Sequence, residues 1–330
     1  MEATSRAQQA AEIAGTIAPL ERVRPDVWAL ALDMPGSTIP YSLCYLLLDS
    51  DRGVHVVDPG WDTEANWAAL VAALGELGFA PGDVRSAIAT HLHPDHLGLA
   101  HRVRSETGAR VVLHEVEQQV LAGGWGTADL GPQLDEWAVP VERRAEMDAV
   151  LALSAGYPEF RADVVVRDGQ RLDIPGFDLI AVWTPGHTSG HLSLRDDARS
   201  LLFTGDHVLP SIFSGLGLGG PTATNPLADY LAALEKVSGF PDHEVLPGHG
   251  YRFTGIVERA AACAEHHLIR SRQVRAVLAE GGSPTVWEIA ARLSWTAGWD
   301  SLHGYLLYSA LSQTAMHREY LRDNNSRRHT

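Results

Sequence analysis

Cysteine is almost absent from this chain of 330 residues: only Cys44 and Cys263 occur, far apart and in apolar surroundings. That argues against a disulfide framework and for two buried thiols in a reducing, cytoplasmic setting. Long hydrophobic runs are missing as well. No stretch approaches the roughly 20 apolar residues of a membrane span, and Met1 to Leu20 carries Glu2, Arg6, Gln8, Gln9 and Glu12 where a leader would need an unbroken apolar segment. Positive charge is scarce: 26 Lys and Arg stand against 41 Asp and Glu, a formal net charge of -15, with no block of consecutive basic residues. Such a surface repels phosphate backbones and anionic lipid, so nucleic acid and membranes are disfavoured as partners and a small-molecule substrate is expected.

What is present is a hydrophobic content of 45%, enough for a sizeable core, and 16 histidines. Val27 to Leu32, Ser42 to Leu48 and Val54 to Val57 are short apolar runs divided by turn residues, and read as consecutive strands. Ala65 to Leu77 has helical spacing, Ser86 to Ala89 reads as a buried strand, and Leu97 to Thr107 as a helix. The character changes over residues 123–160, which read as a helical insertion or lid containing Trp125, Trp137, Tyr157 and Phe160. Strand signals return at Val164 to Val166, Leu179 to Trp183, His191 to Leu194, Leu201 to Phe203 and Glu244 to Leu246. From Ile256 the pattern is helical, broken at Gly281 to Pro284 and ending in a polar tail from Arg322. The expected division is a catalytic domain over 1–255 and a helical, winged-helix-like segment over 256–330, which leaves a homodimer open.

The histidines cluster where strands end. His91, His93, Asp95 and His96 bring four ligand side chains into six residues directly after a buried strand, and Pro94 stiffens their loop. Mixed imidazole and carboxylate donors suit Zn best, with Fe or Mn as alternatives. Three further strand ends repeat the device: Thr184-Pro185-Gly186-His187, Thr204-Gly205-Asp206-His207 and Leu246-Pro247-Gly248-His249. A lone Pro-Gly-His is usually a turn; four such strand ends in order point to one metal centre.

The motif His-x-His-x-Asp-His, followed by His187, Asp206 and His249, resembles that of the metallo-β-lactamase superfamily, over roughly Val27 to Tyr251 and including Val57-Asp58-Pro59-Gly60. The resemblance implies an α/β fold, a four-layer αββα sandwich with a small C-terminal helical appendage. It implies two divalent ions, the first held by His91, His93 and His187, the second by Asp95, His96 and His249, with Asp206 bridging. Class B1 β-lactamases have a cysteine at the bridging position, and flavodiiron proteins a glutamate where His93 stands, so neither chemistry is expected. What remains resembles glyoxalase II, the lactonases and lactamase-like hydrolases with a winged-helix-like C-terminal segment.

The expected activity is hydrolysis of an ester, thioester or lactone of a small or medium-sized metabolite by a hydroxide shared between the ions, with Asp95 and Asp206 as the catalytic carboxylates. A metal-dependent endoribonuclease and a single-iron persulfide dioxygenase are the alternatives. Asp58 reads either as a carboxylate that orients a ligand imidazole or as a turn cap. His191 and His207 read as ligand supports or as structural histidines, and Ser211 to Pro226 as a glycine-rich loop bordering the site. His266, His267, His303, His317 and His329 read as ordinary helix-face residues.

Overall fold

The computed structural model describes residues 1–123, 130–154, 160–220 and 222–328, and of 148–154 and 324–328 only the backbone. Trp125, Tyr157 and His329 lie outside the described residues. The chain opens with β1 (Glu2–Ala3), α1 (Arg6–Ala14), β2 (Glu21–Arg24), β3 (Val27–Asp33), β4 (Tyr41–Leu48) and β5 (Val54–Val57). Next come α2 (Glu64–Glu76), β6 (Val84–Ile88), α3 (Pro94–Leu97), α4 (Ala100–Thr107), β7 (Arg110–His114) and α5 (Glu115–Ala122). Helices α6 (Gly131–Glu136) and α7 (Val141–Ser154) precede β8 (Val164–Val166), β9 (Leu179–Trp183), β10 (Leu192–Asp196) and β11 (Leu201–Gly205). The last elements are α8 (Pro226–Ser238), β12 (Glu244–Pro247), β13 (Phe253–Thr254), α9 (Ile256–Ala279), α10 (Val286–Ala290) and α11 (Gly304–Arg328).

The strands form a seven-stranded sheet, β2-β3-β4-β5-β6-β7-β8, and a six-stranded sheet, β1-β13-β12-β11-β10-β9. Their inner faces follow from the two-residue period of a strand. Tyr41, Leu43, Tyr45 and Leu47 on β4 meet Leu201 and Phe203 on β11 in the core between the sheets. The alternate residues Cys44 and Leu46 face the opposite way, onto Leu70, Leu74 and Val103 of α2 and α4. Leu202 and Val245 turn outward from the second sheet onto Leu227, Tyr230 and Leu234 of α8 and Ile256 and Ala260 of α9. Burial on both faces explains why β4 reads as an unbroken apolar run, and the result is a four-layer αββα sandwich.

Two main-chain hydrogen bonds tie the sheets together at one edge: Leu43 N–H to Gly248 O at 2.7 Å and Leu192 N–H to Thr90 O at 2.8 Å. The ends of β6, β9, β11 and β12 open onto this edge. The expected helix over Leu97 to Thr107 is instead two helices, α3 and α4, divided at Gly98. A Cβ there would overlap Pro94 O and lie 2.9 Å from Asp62 N, so the helix breaks where the chain crosses the Gly60 loop. The expected polar tail from Arg322 is helical as far as Arg328, within α11.

Residues 130–147 pack on the C-terminal helices. Leu134, Trp137, Val139 and Met147 share a core with Val286, Ala290, Leu307 and Leu311 of α10 and α11. Phe160 is buried in the layer of α2 and α4. The described residues after Thr254 form three α-helices and no strand. His267 and His317, expected as ordinary helix-face residues, lie on helix faces that are buried, at 6% and 0% exposure; His317 Nδ1 lies 2.9 Å from Ser271 Oγ. Polar side chains that meet between two helices look amphipathic only once the partner helix is known. Among the described residues no helix is long and apolar enough to cross a membrane.

Candidate metal centre

Three imidazoles converge at the end of β6. His91 Nε2 and His187 Nε2 lie 2.9 and 3.0 Å from His93 Nδ1. Their outer nitrogens settle the tautomers. His93 Nε2 donates to Leu218 O at 3.0 Å, and His187 Nδ1 to Gly215 O at 2.7 Å. Thr90 gives its hydroxyl proton to Asp58 Oδ2, so at 3.0 Å its oxygen accepts from His91 Nδ1. Each neutral ring therefore turns its acceptor nitrogen towards the same point. Acceptor nitrogens that converge within 4.8 Å of one another repel, and a cation is the partner that reverses the sign of that interaction.

A second pole adjoins the first. His249 Nε2 lies 3.1 Å from Asp95 Oδ2 and 3.4 Å from Asp206 Oδ1, while His96 Nε2 lies 3.5 and 3.4 Å from the same two oxygens. Asp206 Oδ2 faces the other way, 3.6 Å from His187 Nε2. One carboxylate thus spans both poles. His96 Nδ1 donates to Asp58 Oδ2 at 2.9 Å and His249 Nδ1 to Tyr41 O at 3.1 Å, which again leaves the inner Nε2 atoms as acceptors when the rings are neutral. His96 Nε2 and Asp206 Oδ1 are buried without a hydrogen-bond partner. Three donor groups of metal-ligand size emerge: His91, His93 and His187; His91, His96 and Asp206; Asp95, His96 and His249. All seven residues singled out in the sequence are brought together, and the donor chemistry fits divalent cations.

Electrostatics divides the poles. Burial, reinforced by the neighbouring histidines, holds His91 well below the ordinary imidazole range, and burial with His93 beside it holds His187 down to about 4. Burial acts in the same direction on His249, but Asp206 and Asp95 outweigh it and push that ring up to about 10. His96 is raised for the same reason, against its own burial, by Asp95, Asp206 and Asp58.

The supports come from far along the chain. Asp58, at φ 52°, gives Oδ1 to Thr90 N–H at 2.7 Å and Oδ2 to both Thr90 Oγ1 and His96 Nδ1. Its orienting reading holds over the turn-cap reading. His191 Nε2 accepts the Asp206 N–H at 3.1 Å, and its Nδ1 lies 2.9 Å from Thr184 Oγ1, so it fixes the backbone of the spanning carboxylate. His207 packs edge-on to Tyr230, at 5.0 Å between ring centres. The glycine-rich loop does border the site, through the Gly215 and Leu218 carbonyls and the hydroxyl of Ser214, which donates to Asp206 O. A Cβ on Gly205 would lie 2.7 Å from Thr90 Oγ1 and 2.8 Å from His191 Nε2, so the turn into Asp206 requires glycine.

Over residues 38–249 the sequence matches the family model of the metallo-beta-lactamase superfamily. The chain belongs to this superfamily. Among metallo-beta-lactamase relatives, a beta-lactamase-like protein 2 homolog from Caenorhabditis elegans is 24% identical over 86% of this chain and 81% of its own length. A hydroxyacylglutathione hydrolase from Haemophilus influenzae is 24% identical over 63% of this chain and 84% of its own. An acyl-coenzyme A thioesterase from Bos taurus is 29% identical over 56% of this chain and 62% of its own. A solved metallo-beta-lactamase family protein from Thermus thermophilus superposes with a TM-score of 0.74 at 27% identity, covering 92% of this chain and 95% of that one.

Tyr41, Gly215, Leu218 and Glu117 were not singled out in the sequence. The first three act through backbone carbonyls, which leave no mark on residue type. Glu117 sits at the start of α5 and resembles any acidic residue in a first helical turn.

Proposed function

We propose that this chain is a binuclear metal-dependent hydrolase that cleaves the thioester of a small or medium-sized metabolite, with zinc as the resident ion. The single observation that carries the reading is the spanning position of Asp206, whose two oxygens face different poles of one seven-residue donor set. Two divalent ions there would lower the pKa of a shared water towards neutrality and polarise the acyl carbonyl under attack. The remaining steps belong to the chain. His91, His93 and His187 present neutral lone pairs, and their outer N–H groups are locked by Thr90, Leu218 and Gly215. Asp206 holds the poles in register. Asp95, at 9% exposure the most accessible of the buried ligand residues, is placed to hold a proton for the leaving group.

The thioester, over an ester or lactone, is supported by the hydroxyacylglutathione hydrolase and acyl-coenzyme A thioesterase among the relatives. An aspartate rather than a cysteine at position 206 agrees with it. The test joins elemental analysis to a hydrolase screen over thioesters, lactones, β-lactams and phosphodiesters, repeated with Asp206→Ala. Two ions per chain and thioester cleavage abolished by the substitution support the reading. One iron per chain with oxygen uptake, or cleavage of single-stranded RNA in preference to thioesters, overturns it.

A further inference from the structure

Outside the seven donors and Asp58, a further buried carboxyl touches the loops that carry the three-histidine pole. Glu117, on the first turn of α5, has no exposed surface. Its Oε1 accepts the hydroxyl of Thr188 and, at 3.1 Å, the N–H of Gly190, residues that flank His187 on the loop after β9. The backbone of Leu92, between His91 and His93, lies beside the same carboxyl group, whose Oε2 is buried without a hydrogen-bond partner. One side chain thus bonds the segment that supplies His187 and lies against the one that supplies His91 and His93, and these segments follow strands of different sheets.

A second contact docks the same corner independently. His114, which caps α5, stacks on Trp183 at 5.6 Å between ring centres and 12° between planes, and Trp183 is the last residue of β9. The fit is close. A Cβ on Gly190 would overlap Glu117 N, so the His187 loop rests directly on the backbone of α5.

We propose that Glu117 is a positioning residue that sets the spacing of His91, His93 and His187, and through it the affinity of the three-histidine pole for its metal ion. The inference rests on the metal-centre reading above. Burial pushes the Glu117 carboxyl up to about 7, so a glutamine, which keeps the accepting oxygen and the shape, is a fair replacement near neutral pH. Alanine removes the strut. Three imidazole donors give bound Co²⁺ a visible absorption that reads the geometry of this pole.

The experiment titrates Co²⁺ into metal-free protein and follows both the affinity of the first equivalent and its visible absorption. Supports of ligand geometry commonly change metal affinity by about ten- to a hundredfold. Glu117→Ala is expected to weaken the first equivalent by about that factor and to alter its absorption spectrum, while Glu117→Gln stays within about threefold with the wild-type spectrum. Thr188→Val, which deletes one donor to the carboxyl without touching a ligand, is expected to fall between them, and it decides the matter if the alanine variant does not fold. Wild-type affinity and spectrum in Glu117→Ala, or in Thr188→Val when the alanine variant is lost, overturn the positioning role. Wild-type protein that takes up no Co²⁺ overturns the metal-centre reading instead, which separates the two failures.

Discussion

His96 Nδ1 lies 2.9 Å from Asp58 Oδ2, and that contact determines which nitrogen of His96 faces the second pole. The same oxygen accepts the Thr90 hydroxyl, so it is a shared acceptor beneath ligand imidazoles of both poles. In Asp58→Asn the amide keeps its oxygen for the Thr90 N–H and turns its NH₂ towards His96. His96 Nδ1 must then accept, the ring proton moves to Nε2, and the lone pair meant for the metal is lost. The expected result is a fall of about ten- to a hundredfold in affinity for the second ion with the fold intact. Metal titration with circular dichroism checks it, and unchanged affinity would remove Asp58 from the support of the centre.

The donors were legible in the sequence because each sits where an apolar strand gives way to a glycine or proline turn, and a strand end fixes a side chain in space. His187, Asp206 and His249 are read by the same rule as His91 to His96. The four layers were legible from alternation in runs such as Tyr41 to Leu48, whose two faces bury against different partners. What fixes the rings was not legible. The Tyr41 carbonyl meets His249 across 208 positions of chain, and the Leu218 carbonyl meets His93 across 125, so neither contact has a local pattern. The burial of His317 was not legible for a related reason: it depends on α9 lying against α11.

The two poles are expected to respond differently to acid. At neutral pH His249, raised to about 10, carries a proton that the second ion must displace. Below that value the apparent affinity of the second pole rises with pH, by about tenfold per unit for each proton released. His187, held down to about 4, is already neutral, so the first pole is insensitive across the same range. Lowering the pH from about 8 to about 6 is therefore expected to strip one ion and leave the other. Calorimetry in buffers of different ionisation enthalpy measures the protons released. Equal pH slopes at both sites would contradict this division of the centre.

Glu117 also predicts a stability slope with a defined sign. Its native carboxyl titrates at about 7 against 4.5 for the free group, so between those values the folded chain holds a proton that the unfolded chain has lost. Stability contributed by this residue is complete below the unfolded value and falls as pH rises towards about 7, by about 3 kcal/mol in total. Buried histidines run the other way. His207 and His317, held down to about 3, and His267, held down to about 4, add stability as pH rises towards 6.5. Wild type alone therefore shows a partly cancelled slope. The difference between wild type and Glu117→Gln isolates the carboxyl, and urea denaturation at pH 5 and pH 8 should show that difference shifting by about 3 kcal/mol in favour of glutamine.

Trp137 bears on whether residues 130–147 act on substrate or on the C-terminal helices. Its side chain is 3% exposed among Leu134, Val139 and residues of α10 and α11, and its carbonyl accepts the Trp287 N–H at 3.1 Å. A side chain in that environment stabilises by excluding water from its neighbours, and truncating it leaves a cavity that the helices cannot fully close. Trp137→Ala is expected to cost about 3 to 5 kcal/mol, and to leave KM within about twofold under conditions where the protein remains folded. Hydrogen exchange should locate the loss in α10 and α11. A changed KM with unchanged stability would instead place Trp137 against the substrate, because only a side chain that contacts the ligand can alter binding without weakening the core in which it sits.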